Sequence, residues 1–207
     1  MMSVLPELDR ATADERSSIE RIRHAALKSF GTHGTSRTSL RTVAEAAGVS
    51  VGLVQHHFTN KAGLIKAVDD YVLSVVLDVI AQPMSGPPAD SLDEMGGRVT
   101  HIVAAHPDVV DYFGRALMDG SPLGAVVFDM LMNSGTARWH QRGERGESRP
   151  DVDVTWAAIN SLVLALGTLS MRAHVERHLP EPLSAPAQLE RWQASVNTLL
   201  RKGLFQP

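Results

Sequence analysis

The 207-residue sequence has no cysteine. That excludes a disulfide framework, a thiolate zinc site and a cysteine nucleophile, and it fits a reducing compartment. Aromatic residues are scarce, at 5%, and no stretch sustains the alternation of apolar and polar residues that marks strands. No apolar run reaches the length of a membrane span, and the first residues, "MMSVLPELDRATADERSS", carry early acids in place of a secretory core. A cytoplasmic protein without a membrane segment is expected. Charge is also nearly absent as a total, −3 at pH 7. Its distribution says more.

From Arg16 to Lys66 the basic residues Arg16, Arg21, Arg23, Lys28, Arg37, Arg41, Lys61 and Lys66 face only Glu20 and Glu45, whereas from Ala67 onward acids outnumber bases 17 to 11. A basic module joined to an acidic body suits a polyanionic partner, although a solvated basic face accounts for the same count. With 43% apolar residues the chain can bury a core without staples. Alanine and leucine recur with helical spacing, so the expected fold is all-α. It comprises an N-terminal three-helix domain with a helix-turn-helix and a larger C-terminal helical domain.

Residues 1–15 form an arm, and a first helix opens on the capping box Ser17-Ser18-Ile19-Glu20, buries Ile19, Ile22, Ala26 and Phe30, and closes near Gly34. Ser39 caps a second helix that buries Leu40, Val43, Ala44 and Ala47 and stops at Gly48. Ser50 caps a third helix of about two turns, held inward by Val54 and Phe58. Two helices joined by a glycine-containing turn form a helix-turn-helix, whose second member can enter a major groove. Asn60 caps a fourth helix from Lys61 to Ala81, with Leu64, Ile65, Val68, Val72, Val75 and Val79 inward. The N-terminal domain is assigned to residues 16–62 and the larger C-terminal domain to 63–207. A proline- and glycine-rich loop spans Gln82 to Ser91, helices follow near 92–105, 107–119 and 122–141, the charged run Arg142 to Asp151 is an exposed loop, and helices over 153–178 and 186–204 close the chain.

Within the third helix Val51, Gly52, Leu53, Gln55 and His56 have little to pack against. Gly52 permits close backbone approach, Gln55 can pair with adenine, and Lys61 can neutralise a phosphate. The stretch "TSLRTVAEAAGVSVGLVQHHFTNKAGLIKAV" (Thr38 to Val68) resembles the DNA-binding module of the TetR (tetracycline repressor) family of bacterial regulators. The shared pattern is carried by Ser39, Val43, Ala44, Ala47, Gly48, Val49, Ser50, Gly52, Val54, His57, Phe58, Asn60, Lys61 and Leu64. It departs at Gln55, where the family has tyrosine. The resemblance implies a homodimer on a palindromic double-stranded DNA operator, repressing transcription until an unidentified small-molecule effector binds the C-terminal domain. By position, Arg41 would touch a phosphate or a base, and Val51, Leu53, Gln55 and His56 would face the groove. Ser39, His57 and Lys61 would anchor to the DNA backbone, and Gly52 would allow close approach. Gln55 would serve either a base or a phosphate.

Other candidates are weaker. His56 and His57 point about 100° apart on a helix and cannot share a metal easily. His174 and His178 share a face but lack a third ligand, and the triplet Asp111, Arg115, Asp119 reads as an exposed salt-bridged face. No catalytic or phosphate-loop motif occurs, so neither an enzyme, a metal nor a cofactor is expected. A sensor or scaffold that lacks operator binding is the competing reading. Trp139, Trp156, Met118, Met130, Met132 and Met171 suit either a ligand pocket or ordinary core, and Asn160 and Thr168 either a ligand or the bundle. The helix over 153–178 carries the small residues Ala157, Ala158, Ser161, Ala165, Gly167 and Ser170, and the last helix carries an apolar stripe of Leu189, Trp192, Val196, Leu199 and Leu200. With the family resemblance, these two helices are expected to form the homodimer interface.

Overall fold

The computed structural model describes residues 5–80 and 91–204. Among these the elements run α1 (Leu5–His33), α2 (Leu40–Ala47), α3 (Val51–Phe58), α4 (Lys61–Ile80), α5 (Ser91–Ala105), α6 (Pro107–Met118), α7 (Pro122–Glu144), α8 (Val154–Ser170), α9 (Arg172–Val175), a 3-10 turn (Glu176–His178) and α10 (Pro186–Leu204). The all-α expectation holds. The chain divides into two compact units, Met1–Val72 and Leu73–Pro207, with the division inside α4. The loop expected from Gln82 lies outside the described residues apart from Ser91, which opens α5.

In the first unit α1 buries Ile22, Ala26, Leu27 and Phe30, α2 adds Val43 and Ala44, α3 adds Val54, and α4 adds Leu64, Val68 and Val72. Each of the larger side chains contributes roughly 1.5–3 kcal/mol by leaving water, and each alanine less. The α4 stripe therefore runs in steps of four, whereas the expected Ile65 is only half-buried. Leu40 and Ala47 are half-buried as well, so Val43 and Ala44 alone seat α2. Helix α1 begins at Leu5, so Ser17 is a mid-helix residue and not the expected cap. Physically, Glu7 to Arg16 offers no glycine or proline to stop a helix, and Pro6 suits its first turn. Beyond α1, the buried Thr38 hydroxyl donates to the Gly34 carbonyl at 2.9 Å and ties down the turn into α2.

The junction of α3 and α4 is tight. Thr59 adopts φ 65°, ψ −57°, and the Asn60 N–H donates to the Phe58 carbonyl at 2.6 Å, closing a γ-turn around a β-branched residue. Asn60 Oδ1 accepts from the Gly63 N–H at 3.0 Å, as a helix cap should. A Cβ at Gly63 would lie 2.2 Å from the Phe58 carbonyl oxygen, so only glycine allows α4 to start this close to the end of α3.

In the second unit α6, α7 and α8 pack on one another, and α10 packs on α5 and α8. Asp93 of α5 joins the last helix at three points. Its carbonyl accepts from Gln193 Nε2 at 3.1 Å, one carboxylate oxygen from Asn197 Nδ2 at 2.5 Å and the other from Arg201 at 2.7 Å. The helix expected to reach His178 breaks at Met171, and the segment after it turns by 70°. No proline or glycine marks the bend itself. Tertiary contacts hold the new direction: Arg172 pairs with Asp111 at 2.7 Å, and Glu176 Oε1 accepts from the Leu183 N–H at 2.9 Å. The pair also corrects the expected Asp111–Arg115–Asp119 surface ladder, because Asp111 reaches across to Arg172 and is itself half-buried. Burial raises its pKa against the opposing pull of Arg172. Helix α7 likewise runs on to Glu144, taking Arg142 out of the expected exposed loop and burying it against the Trp139 ring, 4.9 Å from the ring centre.

Gly63→Ala should lower stability by about 1–3 kcal/mol through the clash with the Phe58 carbonyl, whereas Thr59→Gly should raise it by on the order of 1 kcal/mol by releasing the strained φ. Thermal unfolding of the two variants checks both signs, and an equal or opposite response would remove the junction from the account.

Candidate nucleic-acid interface

The turn between α2 and α3 is fixed at both ends by backbone chemistry. Gly48 takes φ 66°, ψ 37°, the Val49 N–H donates to the Ala44 carbonyl at 3.0 Å, and the Gly48 N–H donates to the Glu45 carbonyl at 3.2 Å. This paired closure needs a residue that tolerates the left-handed region. Two residues later Ser50 Oγ accepts from the Leu53 N–H at 3.1 Å and starts α3. Ser39 does the same for α2, accepting from the Thr42 N–H at 3.1 Å and sharing a hydrogen bond with the Thr42 hydroxyl at 2.8 Å.

With Val54 fully buried, α3 turns Gly52, Gln55, His56 and Thr59 outward at helical spacing, flanked by half-buried Val51 and Leu53. Arg41 projects into solvent from α2, its Nε 3.1 Å from Glu45 Oε1. His57 is half-buried, with its ring packed edge-on against those of His56 and Phe58, and its Nε2 is enclosed without a hydrogen-bond partner. Lys61 reaches back to the turn before α2, where Nζ donates to the Ser36 carbonyl at 3.3 Å. The structure therefore leaves Ser39, Arg41, Gly52, Gln55 and His56 exposed on α2, its cap and α3, sets half-buried Lys61 at the start of α4, and half-buries His57. Thr42 and Arg37 escaped the sequence reading. Thr42 is exposed in the first turn of α2, and Arg37 is exposed in the turn before that helix, its Nε donating to the His33 carbonyl at 2.8 Å.

A separate cavity of about 220 Å³ lies in the second unit among α4 to α8 and α10. Its walls are apolar side chains such as Val99, Phe113, Leu131, Leu162 and Leu166, with Trp139 and Trp192, and two cations, Arg138 and Arg142. Burial lowers the pKa of both arginines. At Arg138 the nearby Arg98 adds to the effect against Glu94, and at Arg142 the Glu147 carboxylate opposes it. Of the side chains considered for a pocket, Trp139 lines the cavity, Met132 packs behind it, and Met118, Trp156 and Met171 are exposed. Asn160 is exposed too, the Thr168 hydroxyl donates to the Leu164 carbonyl, and neither residue lines the cavity. Ser161, Ala165 and Ser170 line the cavity, which gives the small residues of α8 a use other than close helix approach. His174 and His178 are exposed, and among the described residues no group of three or more His, Asp or Glu is placed to hold a metal.

Residues 22–68 match the family model described as bacterial regulatory proteins, tetR family. The chain is 32% identical over 134 residues to the HTH-type transcriptional regulatory protein RaaS of Mycobacterium tuberculosis, a match covering 64% of this chain and 60% of that protein. It spans 40% of the probable HTH-type regulator ArpR of Pseudomonas putida, at 34% identity over 87 residues, or 42% of this chain. A solved TetR family regulator of Chloroflexus aurantiacus shares the fold with a TM-score of 0.74 at 18% identity, over 94% of this chain and 95% of that one. Among the described residues no single helix is long and apolar enough to cross a membrane. The capped turn and the outward stripe of α3 fall within residues 22–68, the segment similar to bacterial regulatory proteins of the tetR family, and the chain spans 60% or less of the length of the two curated relatives.

Proposed function

We propose that the chain is a ligand-responsive transcriptional regulator, a repressor, that binds a palindromic DNA operator as a homodimer and leaves it when a small molecule enters the second unit. The observation that carries this reading is α3: a helix of eight residues pinned by one buried valine and two caps, with Gly52, Gln55 and His56 exposed from a basic unit. Gly52, Gln55 and His56 lie where a major groove would meet them, with Val51 and Leu53 at the margins. Ser39, Arg41, Thr42 and Lys61 flank them as backbone contacts. His57 contributes least, because its Nε2 is enclosed.

One such helix reads few base pairs. Two held in a symmetric dimer must match half-sites about one helical turn, ~34 Å, apart, so spacing itself becomes selective. Support for a dimer face comes from Trp156 and Val163 of α8, which are 59% and 56% exposed, and from Leu199 of α10, which is 58% exposed. The rest of the last-helix stripe faces inward, with Leu189 and Leu200 buried and Trp192 and Val196 on the cavity wall, so α8 supplies most of the proposed contact. An effector favouring the form with wrongly spaced reading helices shifts the population off the operator, and DNA weakens effector binding by the same factor. Helix α4 contributes to both units and is the proposed connection.

Lys61→Ala should weaken binding to operator and random duplex alike and flatten the plot of log affinity against log salt by about one phosphate's worth; an unchanged slope would remove Lys61 from the contacts. Gln55→Ala should alter preference at one base-pair position per half-site if Gln55 reads a base, and a uniform loss over operator variants would assign it to the backbone. The double variant Trp156→Glu/Val163→Glu should keep its helical circular dichroism, sediment as single chains and lose operator affinity. A dimer of undiminished stability would refute the proposed face.

A further inference from the structure

The second-unit cavity carries more hydrogen-bond donors than its walls can use. Thirty-one residues line it, among them Thr100, Ser134, Ser161, Ser170, Gln193 and Asn197, and no aspartate or glutamate is included. Several of its polar groups are committed elsewhere. Gln193 and Asn197 donate to Asp93, the Ser161 hydroxyl to the Ala157 carbonyl at 2.7 Å, and the Thr100 hydroxyl to the Gly97 carbonyl at 2.9 Å. Arg138 is half-buried on the cavity wall, with Glu94 the carboxylate whose charge it feels, and the enclosed Ser170 Oγ and Trp192 Nε1 have no hydrogen-bond partner. The acids nearest this end of the cavity already serve other cations: Glu94 is paired with Arg98 at 2.5 Å and Asp93 with Arg201 at 2.7 Å. A guanidinium stays charged in such a place and costs free energy until an acceptor meets it.

We propose that this cavity binds an apolar carboxylate, its body along the α7 wall and its anionic end on Arg138, with Arg142 one turn further along. From Leu131 to Arg142 that wall extends ~16 Å at 1.5 Å per residue. A planar guanidinium takes a carboxylate through two parallel hydrogen bonds, and the apolar walls shield the pair from water. Cationic ligands are disfavoured twice, by the two arginines and by the lack of an acid in the lining. The site also touches the helix that leads out of the unit. Arg98, close enough to Arg138 to depress its pKa, donates through its other nitrogen to the Val79 carbonyl at 3.1 Å, in the last turn of α4. A carboxylate on Arg138 adds negative charge beside Arg98 and competes with the contacts holding that turn. The inference rests on the proposed role of this cavity as the effector site and names the class of effector.

The test uses the full chain and three probes with one alkyl body: dodecanoate, dodecanol and dodecyltrimethylammonium, each below its micelle concentration. Titration calorimetry and the fluorescence of Trp139 and Trp192 report binding. Dodecanoate should bind about tenfold more tightly than dodecanol, as expected for one charge-assisted contact, and the ammonium should bind least. Arg138→Met should erase the carboxylate preference while dodecanol affinity stays within about twofold, and Arg138→Lys should restore part of it. Equal affinity for dodecanoate and dodecanol in the unmodified chain would overturn the inference even if Arg138→Met fails to fold. So would a preference that survives in Arg138→Met. If dodecanol binds as well as dodecanoate and both release operator DNA, the carboxylate assignment fails while the effector cavity stands. If no probe enters, the cavity loses its effector role too. Operator binding without any probe tests the regulator reading separately.

Discussion

The reading surface depends on how α3 is held. A helix of eight residues is too short to be stable by itself in water, and α3 has one fully buried side chain, Val54. Its geometry comes from its ends. The left-handed Gly48 closes α2 with two backbone hydrogen bonds, Ser50 starts α3 after a single intervening residue, and the Thr59 turn with Gly63 brings α4 against its far end. Because the ends fix the helix, its outward stripe is spared for contacts other than packing. Gln55 and His56 can therefore vary with little consequence for the fold, whereas Gly48, Ser50 and Gly63 cannot.

The second unit answers a different constraint. Its helices enclose a cavity instead of filling it, and the Asp93 clamp on Gln193, Asn197 and Arg201 keeps α5 and α10 together across that gap. Small residues on α8 leave the room, and the two arginines of α7 give the space a sign of charge. Helix α4 buries Leu64, Val68 and Val72 in the first unit and Val76 in the second, and its last turn is held by Arg98 at the Val79 carbonyl.

The first unit was legible because its signals are local. Ser39, Gly48, Ser50 and Asn60 act on neighbours three to five residues away, and the sequence spacing is the structure. The Ser17 cap failed for a local reason, since nothing from Glu7 to Arg16 stops a helix; the other failures occurred where partners distant in sequence decided the outcome. The kink after Ser170 depends on Arg172 meeting Asp111, sixty-one residues earlier; Arg142 looked like loop charge until α7 extended and Trp139 covered it. The cavity was hidden for the same reason: Arg138 and Trp192 face one space only once α7 and α10 are in place. The inward turn of Leu189 and Leu200, which weakens the last helix as a dimer surface, also follows from a neighbour, α5, that periodicity cannot show.

The central claim is that two copies of this chain hold paired α3 helices at a spacing DNA can match. Footprinting on duplexes selected from genomic fragments, with the mass of the bound species measured by light scattering, tests it most directly. The account predicts two protected half-sites of inverted sequence, about one helical turn apart or a multiple of it, on a complex containing an even number of chains. Protection of one isolated half-site by a single chain, or selection of no sequence above random duplex, would contradict it.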